Sequence, residues 1–471
     1  MTRLRYGGRI DRTRSLRFVF NGSDYEGFAG DTLASALIAN DVSVVGRSFK
    51  YHRPRGIVAA GEDEPNAIVQ LGAGALEEPN VKATCAELYD GLVARSVNCW
   101  PSARFDLGVV AEWFHALLPA GFYYKTFMGA PGWMFYERFV RRAAGLGRVA
   151  SLPDPETYLK RTVHCDVLVV GAGPAGLAAA RAAAAFGARV ILADDQPEPG
   201  GSLLDRGSEI DGASGADWAA SVASELRSRA DVIVLSRTTV AGYYDHNLLV
   251  AVERLTDHIA PADRGTRPRQ RLWQIHARRV ILATGALERP LVFPDNDRPG
   301  ILLASAARAY VNRYAASPGG HAVLFTNNDS AYAVAVDLLA ADIAVEAVVD
   351  LRRDGAGPAG EELRKRGVPI HAGAVITGVR GATRVRAVRV SPHGASRGRW
   401  IDCDMVCTSG GWNPTVHLFS QSGGRLRYDS ALACFVPAQS VQAERSVGAA
   451  AGIFALAACL SGTVIRPASM R

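Results

Sequence analysis

Cys165-Asp-Val-Leu-Val-Val-Gly171-Ala172-Gly173-Pro174-Ala175-Gly176-Leu-Ala-Ala-Ala-Arg181 is the stretch whose reading decides the fold. The apolar run Val167 to Val170 reads as a buried strand. Three glycines follow with the spacing G-x-G-x-x-G, and an alanine-rich helix begins at once. The first glycine permits a tight turn, the second lets backbone approach a pyrophosphate, and the third lets helix pack closely on strand. N–H groups at the start of the helix, reinforced by its dipole, attract phosphate. A second strand, Ala188-Arg-Val-Ile-Leu-Ala193, ends on Asp194 about where a ribose-binding carboxylate belongs, and Asp195 and Gln196 follow. The stretch is therefore read as a dinucleotide cradle.

Downstream motifs complete the same unit. Pro199-Gly200-Gly201-Ser202-Leu203 offers a side-chain-free backbone at the place where a cofactor would pass. Asp231–Leu235, Tyr243-Tyr244 and Leu248–Val252 suggest a β-meander, with residues 256–270 as a polar hairpin tip. Val280-Ile-Leu-Ala-Thr284-Gly285-Ala286 reads as a buried strand ending in a small-residue turn beside the pyrophosphate. Ser446-Val-Gly448-Ala449 opens a helix that presents further backbone donors.

A second α/β unit starts at Ala322-Val-Leu-Phe-Thr326 and continues through a helix over 331–340 to the strand Val345–Asp350. Where its glycines belong the chain reads Asn327-Asn-Asp-Ser-Ala-Tyr332. A structural or substrate-channel role is expected there, rather than a second nucleotide in the usual pose. Met405–Gly410 is another strand-to-glycine turn. Cys403 and Cys407, placed on that strand, would share a face about 13 Å apart. That is too far for a disulfide, so a redox dithiol is not expected.

Upstream, Leu16–Phe20, the Asn21-Gly22 turn, Tyr25–Phe28 and a helix capped at Asp31 resemble the β-grasp fold of plant-type ferredoxins. Iron–sulfur clusters need thiolates. The loop that would carry them, Gly46–Gly56, has none, so no Fe–S cluster is expected. That loop holds Arg47, Lys50, His52, Arg53 and Arg55, which read either as an anion or partner contact or as a solvated basic turn. Residues 106–148 are rich in aromatics, among them Trp113, Phe114, Phe122, Tyr123, Tyr124, Phe135 and Phe139, and are expected to pack the first domain against the second. Ser151-Leu-Pro-Asp-Pro155 reads as a boundary.

The 471 residues suffice for two or three domains. The net charge of +7 comes from 53 basic residues, of which only 5 are Lys. Their scatter, with no basic stripe interleaved with aromatics, argues against nucleic acid as a partner. Seven dispersed cysteines without a C-x-x-C pair point to reduced thiols, and no apolar run is long enough for a bilayer. A cytoplasmic protein without a membrane partner is expected. No constellation of catalytic or metal-ligating residues stands out.

Six segments together resemble the α subunit of heterotetrameric sarcosine oxidase, along nearly the whole chain. They are Phe49-Lys-Tyr-His-Arg-Pro-Arg-Gly-Ile57, Gly171–Gly176, Pro199-Gly-Gly201, Ala283-Thr-Gly-Ala-Leu-Glu-Arg289, Thr326-Asn-Asn-Asp-Ser-Ala-Tyr332 and Ser409-Gly-Gly-Trp-Asn-Pro414. The resemblance implies oxidative demethylation of sarcosine to glycine, formaldehyde and hydrogen peroxide. The enzyme it implies is an oxidoreductase acting on CH–NH groups, assembled with β-, γ- and δ-type subunits. In such a complex the β subunit carries FAD and most of the site for the small amine substrate, and FMN lies at the α/β interface. The α subunit holds NAD. Carried over to this chain, Gly171, Gly173, Ala175 and Gly176 meet the pyrophosphate, Asp194 and Asp195 the ribose hydroxyls, and Gly201 and Ser202 the phosphates. An acidic strand end disfavours a 2′-phosphate, hence NAD over NADP.

Family α subunits usually continue into a folate-binding, aminomethyltransferase-like domain. This sequence stops at Ser461–Arg471, and a chain lacking that domain is expected. Two other readings stay open: an FAD-binding subunit of an opine, amine or proline dehydrogenase-type complex, and a non-catalytic scaffold. The expected fold is α/β, a two-dinucleotide-binding-domain Rossmann-like fold preceded by a β-grasp domain. The expected divisions are a β-grasp domain over 1–105 and a connector over 106–160. The dinucleotide domain follows over 161–292 and 402–471, with a second Rossmann-like insert over 293–401.

Overall fold

A computed structural model describes residues 2–117, 121, 127, 129–354, 357–395 and 397–461. Two compact units result, one formed by the chain up to Pro155 with Arg289–Gly411, the other by Glu156–Glu288 with the chain from Trp412 onward.

The chain begins with β1 (Asp11–Phe20), β2 (Ser23–Ala29) and α1 (Leu33–Ala39), followed by β3 (Ile68–Leu71), β4 (Glu78–Lys82) and β5 (Leu92–Ser96). The sheet order is β2-β1-β5-β3-β4, with β1 and β5 parallel. Thr32 caps α1 through a reciprocal pair with Ser35, and every residue of the helix is buried. Glu64 is buried and accepts four backbone N–H bonds, from Val58, Ala59, Asn66 and Ala67, at 2.7–2.9 Å. It thereby fixes the path of the loop between α1 and β3.

The basic loop is used internally. The Arg47 guanidinium donates to the carbonyls of Ala103, His52 and Arg104, and His52 Nδ1 lies 2.6 Å from buried Asp106. Arg53 pairs with Glu112 and Asp297, and Arg55 pairs with Asp297. A solvated turn does not describe it: the loop is a clasp built on buried Asp106, part-buried Glu112 and Asp297, and backbone carbonyls.

The aromatic connector departs from expectation. It contains the helix α2 (Trp133–Ala144), yet none of the described residues from 107 to 155 is buried. Trp113, Phe114, Phe135 and Phe139 are exposed rather than packed between domains. Phe122, Tyr123 and Tyr124 lie outside the described residues.

In the second unit, β6 (Tyr158–Val170), α3 (Pro174–Ala185), β7 (Val190–Ala193), α4 (Gly215–Arg227) and β8 (Val232–Leu235) alternate. The meander β9 (Thr238–Tyr244), β10 (Leu248–Arg254) and β11 (Gln270–Leu282) follows. The order is β8-β7-β6-β11-β10-β9, with a late strand, Glu444–Ser446, running parallel to the end of β11. β8, β7, β6 and β11 are parallel, as crossover helices require. Alanines on α3 give a slim helix, and Ala179, Ala180, Ala183 and Ala184 are almost wholly buried.

The chain then returns to the first unit through β12 (Ile301–Leu303), α5 (Ala304–Asn312), β13 (His321–Thr326), α6 (Ser330–Ala340), β14 (Ala344–Asp350) and β15 (Ile370–Ala372). A three-stranded antiparallel sheet, β16 (Ala374–Arg380), β17 (Ala387–Pro392) and β18 (Arg399–Asp402), precedes β19 (Met405–Ser409). β19 inserts between β12 and β13, so residues 405–409 belong to the second sheet and not, as a boundary at 402 implied, to the first dinucleotide domain. One core cluster joins Phe18, Leu33, Leu37 and Leu92 of the N-terminal sheet to Leu302, Tyr310, Leu324 and Tyr332. The β-grasp segment and the 293–411 segment thus share a core.

Candidate dinucleotide site

The strand-turn-helix of the opening stretch is built as its residues demand. Gly171 follows β6 at φ +100, and a Cβ there would lie 2.3 Å from the Ala283 carbonyl oxygen. Gly176 sits in the first turn of α3, where a Cβ would come within 1.8 Å of the Gly171 oxygen. The outer glycines are therefore required by the protein's own backbone. Gly173 differs: no atom lies within 4 Å of the place a Cβ would occupy, so its missing side chain leaves open space at the helix N-terminus. Pro174 starts the helix, where a missing N–H costs nothing.

The neighbouring expected residues gather around this turn. Gly200 N–H donates to the Ala172 carbonyl at 2.8 Å, and a Cβ on Gly201 would lie 2.9 Å from Gly173 Cα. Ser202 follows in a short 3-10 turn. Gly448, at φ +60, backs onto Ala175, and its own short turn includes Ala449. Thr284 Oγ1 donates to the Thr415 carbonyl at 2.7 Å, and Gly285 accepts from Thr415 N–H at 3.0 Å.

Asp194 is buried, and its carboxylate accepts the Ala172 N–H on one oxygen and the Gln196 N–H on the other. Its first role is to hold the glycine turn and the strand end together. Asp195, half-buried, accepts from Gln196 Nε2 at 3.4 Å and comes next on the same loop. The loop is clamped from the meander, by Arg254 donating to the Asp195 carbonyl at 2.7 Å and Arg237 N–H to the Gln196 carbonyl at 2.9 Å. Nothing in the sequence signals those two arginines, because the β-hairpin register alone brings them there.

Redox thiols are not available. All seven cysteines are free. Burial pushes the Cys165 and Cys403 thiols up to about 12 and Cys99 to about 11. Cys403 and Cys407 do not share a face as expected. Cys403 lies in the turn before β19 and packs with Val323 and Phe325, whereas Cys407 packs with Leu324 on the other side of the sheet. Among the described residues no group of three or more His, Cys, Asp or Glu could hold a metal ion, and no helix is long and apolar enough to cross a membrane.

Residues 13–99 match a family described as a 2Fe-2S iron-sulfur cluster binding domain. That match corrects the expectation of no Fe–S cluster, which rested on the cysteine-free loop alone: residues 13–99 are similar to a cluster-binding domain. Within the matched residues the thiols are Cys85 and Cys99. Fe–S clusters are usually held by four thiolates. The donors present do not complete such a set, and no electron-transfer step follows from them.

The chain is similar to the sarcosine oxidase subunit alpha of Rhizobium meliloti (strain 1021), with 48% identity over 97% of this chain and 46% of that protein. It is also similar to the sarcosine oxidase subunit alpha of Corynebacterium sp. (strain U-96), with 37% identity over 97% of this chain and 43% of that protein. It spans just under half the length of these curated relatives. The crystal structure of L-proline dehydrogenase from P. horikoshii shares the fold, with a TM-score of 0.63 and 18% identity, covering 96% of this chain and 71% of that one. Residues 165–460, more than half of the chain and including the whole cradle, match the family described as pyridine nucleotide-disulphide oxidoreductase, and the chain belongs to that family.

Proposed function

We propose that this chain is the dinucleotide-binding α subunit of a sarcosine oxidase-like complex. An N-methyl amine is oxidised there at its CH–NH group on a partner flavoprotein subunit. One observation carries the reading: extensive identity to sarcosine oxidase α subunits goes with a cradle that is open at Gly173 and has no reactive thiol pair. The overall reaction turns sarcosine, dioxygen and water into glycine, formaldehyde and hydrogen peroxide. This chain's own residues bind and orient. Backbone donors at the N-terminus of α3 face the pyrophosphate, Gly200-Gly201 and Gly448 let backbone close around it, and Asp195 receives the ribose hydroxyls while Asp194 holds the loop. A bound NAD or FAD supplies a redox-active ring; here it serves structure and assembly, with the amine oxidised on the partner chain. Partners of the β, γ and δ type and a cytoplasmic setting complete the proposal, the latter in keeping with seven free thiols.

Co-expression with β-, γ- and δ-type subunits tests it. The expected outcome is a purified complex that forms hydrogen peroxide on adding sarcosine and releases one dinucleotide per copy of this chain on denaturation, identified by mass. A chain that carries its own flavin, reduces it with an amine and recruits no subunit would replace this reading with that of a self-contained amine dehydrogenase.

A further inference from the structure

We infer that the exposed aromatic surface carried by residues 107–117 and 133–149 is the docking face for a partner protein subunit with an apolar centre and an acidic rim. The inference rests on the hetero-oligomeric reading above and names the surface it uses.

The starting point is a helix that buries none of its described side chains. α2 has 12 residues and no side-chain N-cap, and none of its described side chains is buried. Isolated helices of this length are marginal in water, because most helical stability comes from burying an apolar face. Yet α2 displays Met134, Phe135 and Phe139, with Phe135 and Phe139 one turn apart and their ring centroids at 5.6 Å. Trp113 and Met134 are 76% and 78% exposed, and Val149 is 79% exposed. The Phe135–Phe139 pair, with Met134 beside it in sequence, is exposed apolar surface of the kind that marks interaction sites.

The surface is anchored rather than loosely attached. Asn98 N–H donates to the Gly145 carbonyl at 2.8 Å, and Gln70 makes a two-way pair with the backbone of Arg148 at 2.7 and 3.0 Å. At its other end, Asp106 accepts from Trp100 N–H and pairs with His52, and Glu112 is held by Arg53. Both ends of the segment are thus fastened to the N-terminal sheet and its clasp. A preformed face of aromatic, Met and Arg side chains is the composition of interface cores.

Charge then selects the partner. The acids between 104 and 149 are Asp106, Glu112 and Glu137, and each is paired within the chain, the last with Arg141. Arg104, Arg138, Arg142 and Arg148 are exposed and have no acidic partner among the described residues. The Arg138 guanidinium lies over Phe135 and Phe139, 4.6 and 4.9 Å from their centroids. The aromatic face is therefore rimmed by uncompensated positive charge, which favours an acidic rim opposite and disfavours a second copy of the same basic face.

The test uses the full chain and a purified β-type flavoprotein subunit of a sarcosine oxidase-like complex. Hydrogen exchange is expected to slow at 107–117 and 133–149 when the two associate. Phe135→Asp with Phe139→Asp is expected to weaken association by about 30-fold or more. Arg138→Glu with Arg142→Glu should slow association and reverse its dependence on salt. Val441→Asp, at an exposed site in the other unit, should change neither. Unchanged melting and dinucleotide content certify that the variants fold.

Association with no protection at 133–149, or with unchanged affinity for the Phe variants, overturns this inference and leaves the hetero-oligomeric reading standing. No association of the unaltered chain rejects both. Concentration-dependent protection of 133–149 in the chain alone, or protection by phosphatidylserine vesicles, also overturns it, in favour of a homodimer face or a membrane surface.

Discussion

The molecule contains the same strand-turn-helix twice, and the two copies have been filled differently. In both, four residues after the strand end, a helix begins: β6 ends at Val170 and α3 starts at Pro174, while β13 ends at Thr326 and α6 starts at Ser330. Gly171 and Gly176 in the first correspond to Asn327 and Tyr332 in the second. A Cβ at Gly176 would collide with backbone at 1.8 Å, so a tyrosine at the corresponding place requires a turn of another shape. The second turn is tied by side chains. Asn328 bonds the carbonyl and hydroxyl of Ser409 and accepts from Ser330, and Tyr332 reaches across to donate to fully buried Asp350 at 2.7 Å. Arg352 bridges Asp350 to Asp329 at the start of α6. In one copy the absence of side chains leaves room at a helix N-terminus; in the other, side chains occupy the corresponding place. The fold does not by itself confer a nucleotide site.

Four experiments break or sharpen this contrast. The largest effect is expected from Gly176→Val, which forces a branched side chain into the Gly171 oxygen. Bound dinucleotide should be lost and the melting temperature should fall by about 10 °C or more. Retained binding with unchanged melting would show that close helix–strand contact is not what the glycine is for. Next comes Asp350→Ala, which leaves Tyr332 and Arg352 facing a buried void. A loss of about 3–5 kcal/mol is expected in denaturant unfolding, with dinucleotide content unchanged. A change in dinucleotide content would mean that the second turn also binds one.

Asp194→Asn comes third. It keeps the shape of the strand end but turns an amide toward the Ala172 or Gln196 N–H, and unfolding should cost about 1–3 kcal/mol less. Dinucleotide affinity by calorimetry should fall about tenfold through the distorted turn, whereas Asp195→Asn should weaken affinity without affecting stability. Equal stability loss in both variants would erase the division of labour between the two acids.

The smallest effects concern an ion pair that closes each strand pair at its near end, Asp166 with Arg189 on β6–β7 and His321 with Glu346 on β13–β14. The hydrogen bond from Arg189 holds Asp166 at about 2, below its ordinary 3.8. Its stabilisation is present above about pH 4 and is lost as pH falls toward 2. The hydrogen bond to Glu346 raises His321 above its ordinary 6.5, so that pair stabilises below pH 6.5 and is lost as pH rises through the raised value. Both pairs are largely exposed, so each is worth less than about 1 kcal/mol. Thermal melts of Asp166→Asn and His321→Gln should both fall below the unaltered chain, the gap for the first opening as pH rises from 2 to above about 4 and that for the second opening as pH falls through the raised value of His321. Parallel profiles would mean that neither pair contributes.

The local part of this contrast was legible in the sequence because it is written in consecutive residues. The apolar run, the glycine spacing and the acid after β7 report on one another within some thirty positions, and the missing glycines of the second copy were equally visible. The rest depended on partners far along the chain. That Asp194 is engaged by Ala172 follows from the register in which Val170 faces Ala193, which a sequence does not print. Apolar residues in β1 and α1 announced burial, but not that Leu302 and Tyr310 would bury them. Cys403 and Cys407 were misplaced because a turn at 403–404 interrupts the alternation that spacing alone assumes. Aromatic density usually signals a packed interface between domains, but among the described connector residues Trp113, Phe114, Phe135 and Phe139 are exposed.

The shared core of the first unit has a consequence for how the polypeptide is made. During synthesis, strands β1 to β5 emerge first, yet much of the apolar surface they must cover lies beyond residue 300, after the whole first half of the other unit has been added. At about 5–20 residues per second, the N-terminal sheet waits roughly ten seconds or more for its complement. Over that interval the apolar cluster around Phe18, Leu33 and Leu92 lacks the part of its core that the later segment contributes. The intervening dinucleotide unit has its own early strands in order by then, although its last strand, Glu444–Ser446, arrives only near the end. Folding is thus interleaved, each unit waiting on its own later segment while part of the other is made, and contacts this distant in sequence make for slow closure. Truncating the chain after residue 155 should yield an insoluble fragment rather than a small stable domain.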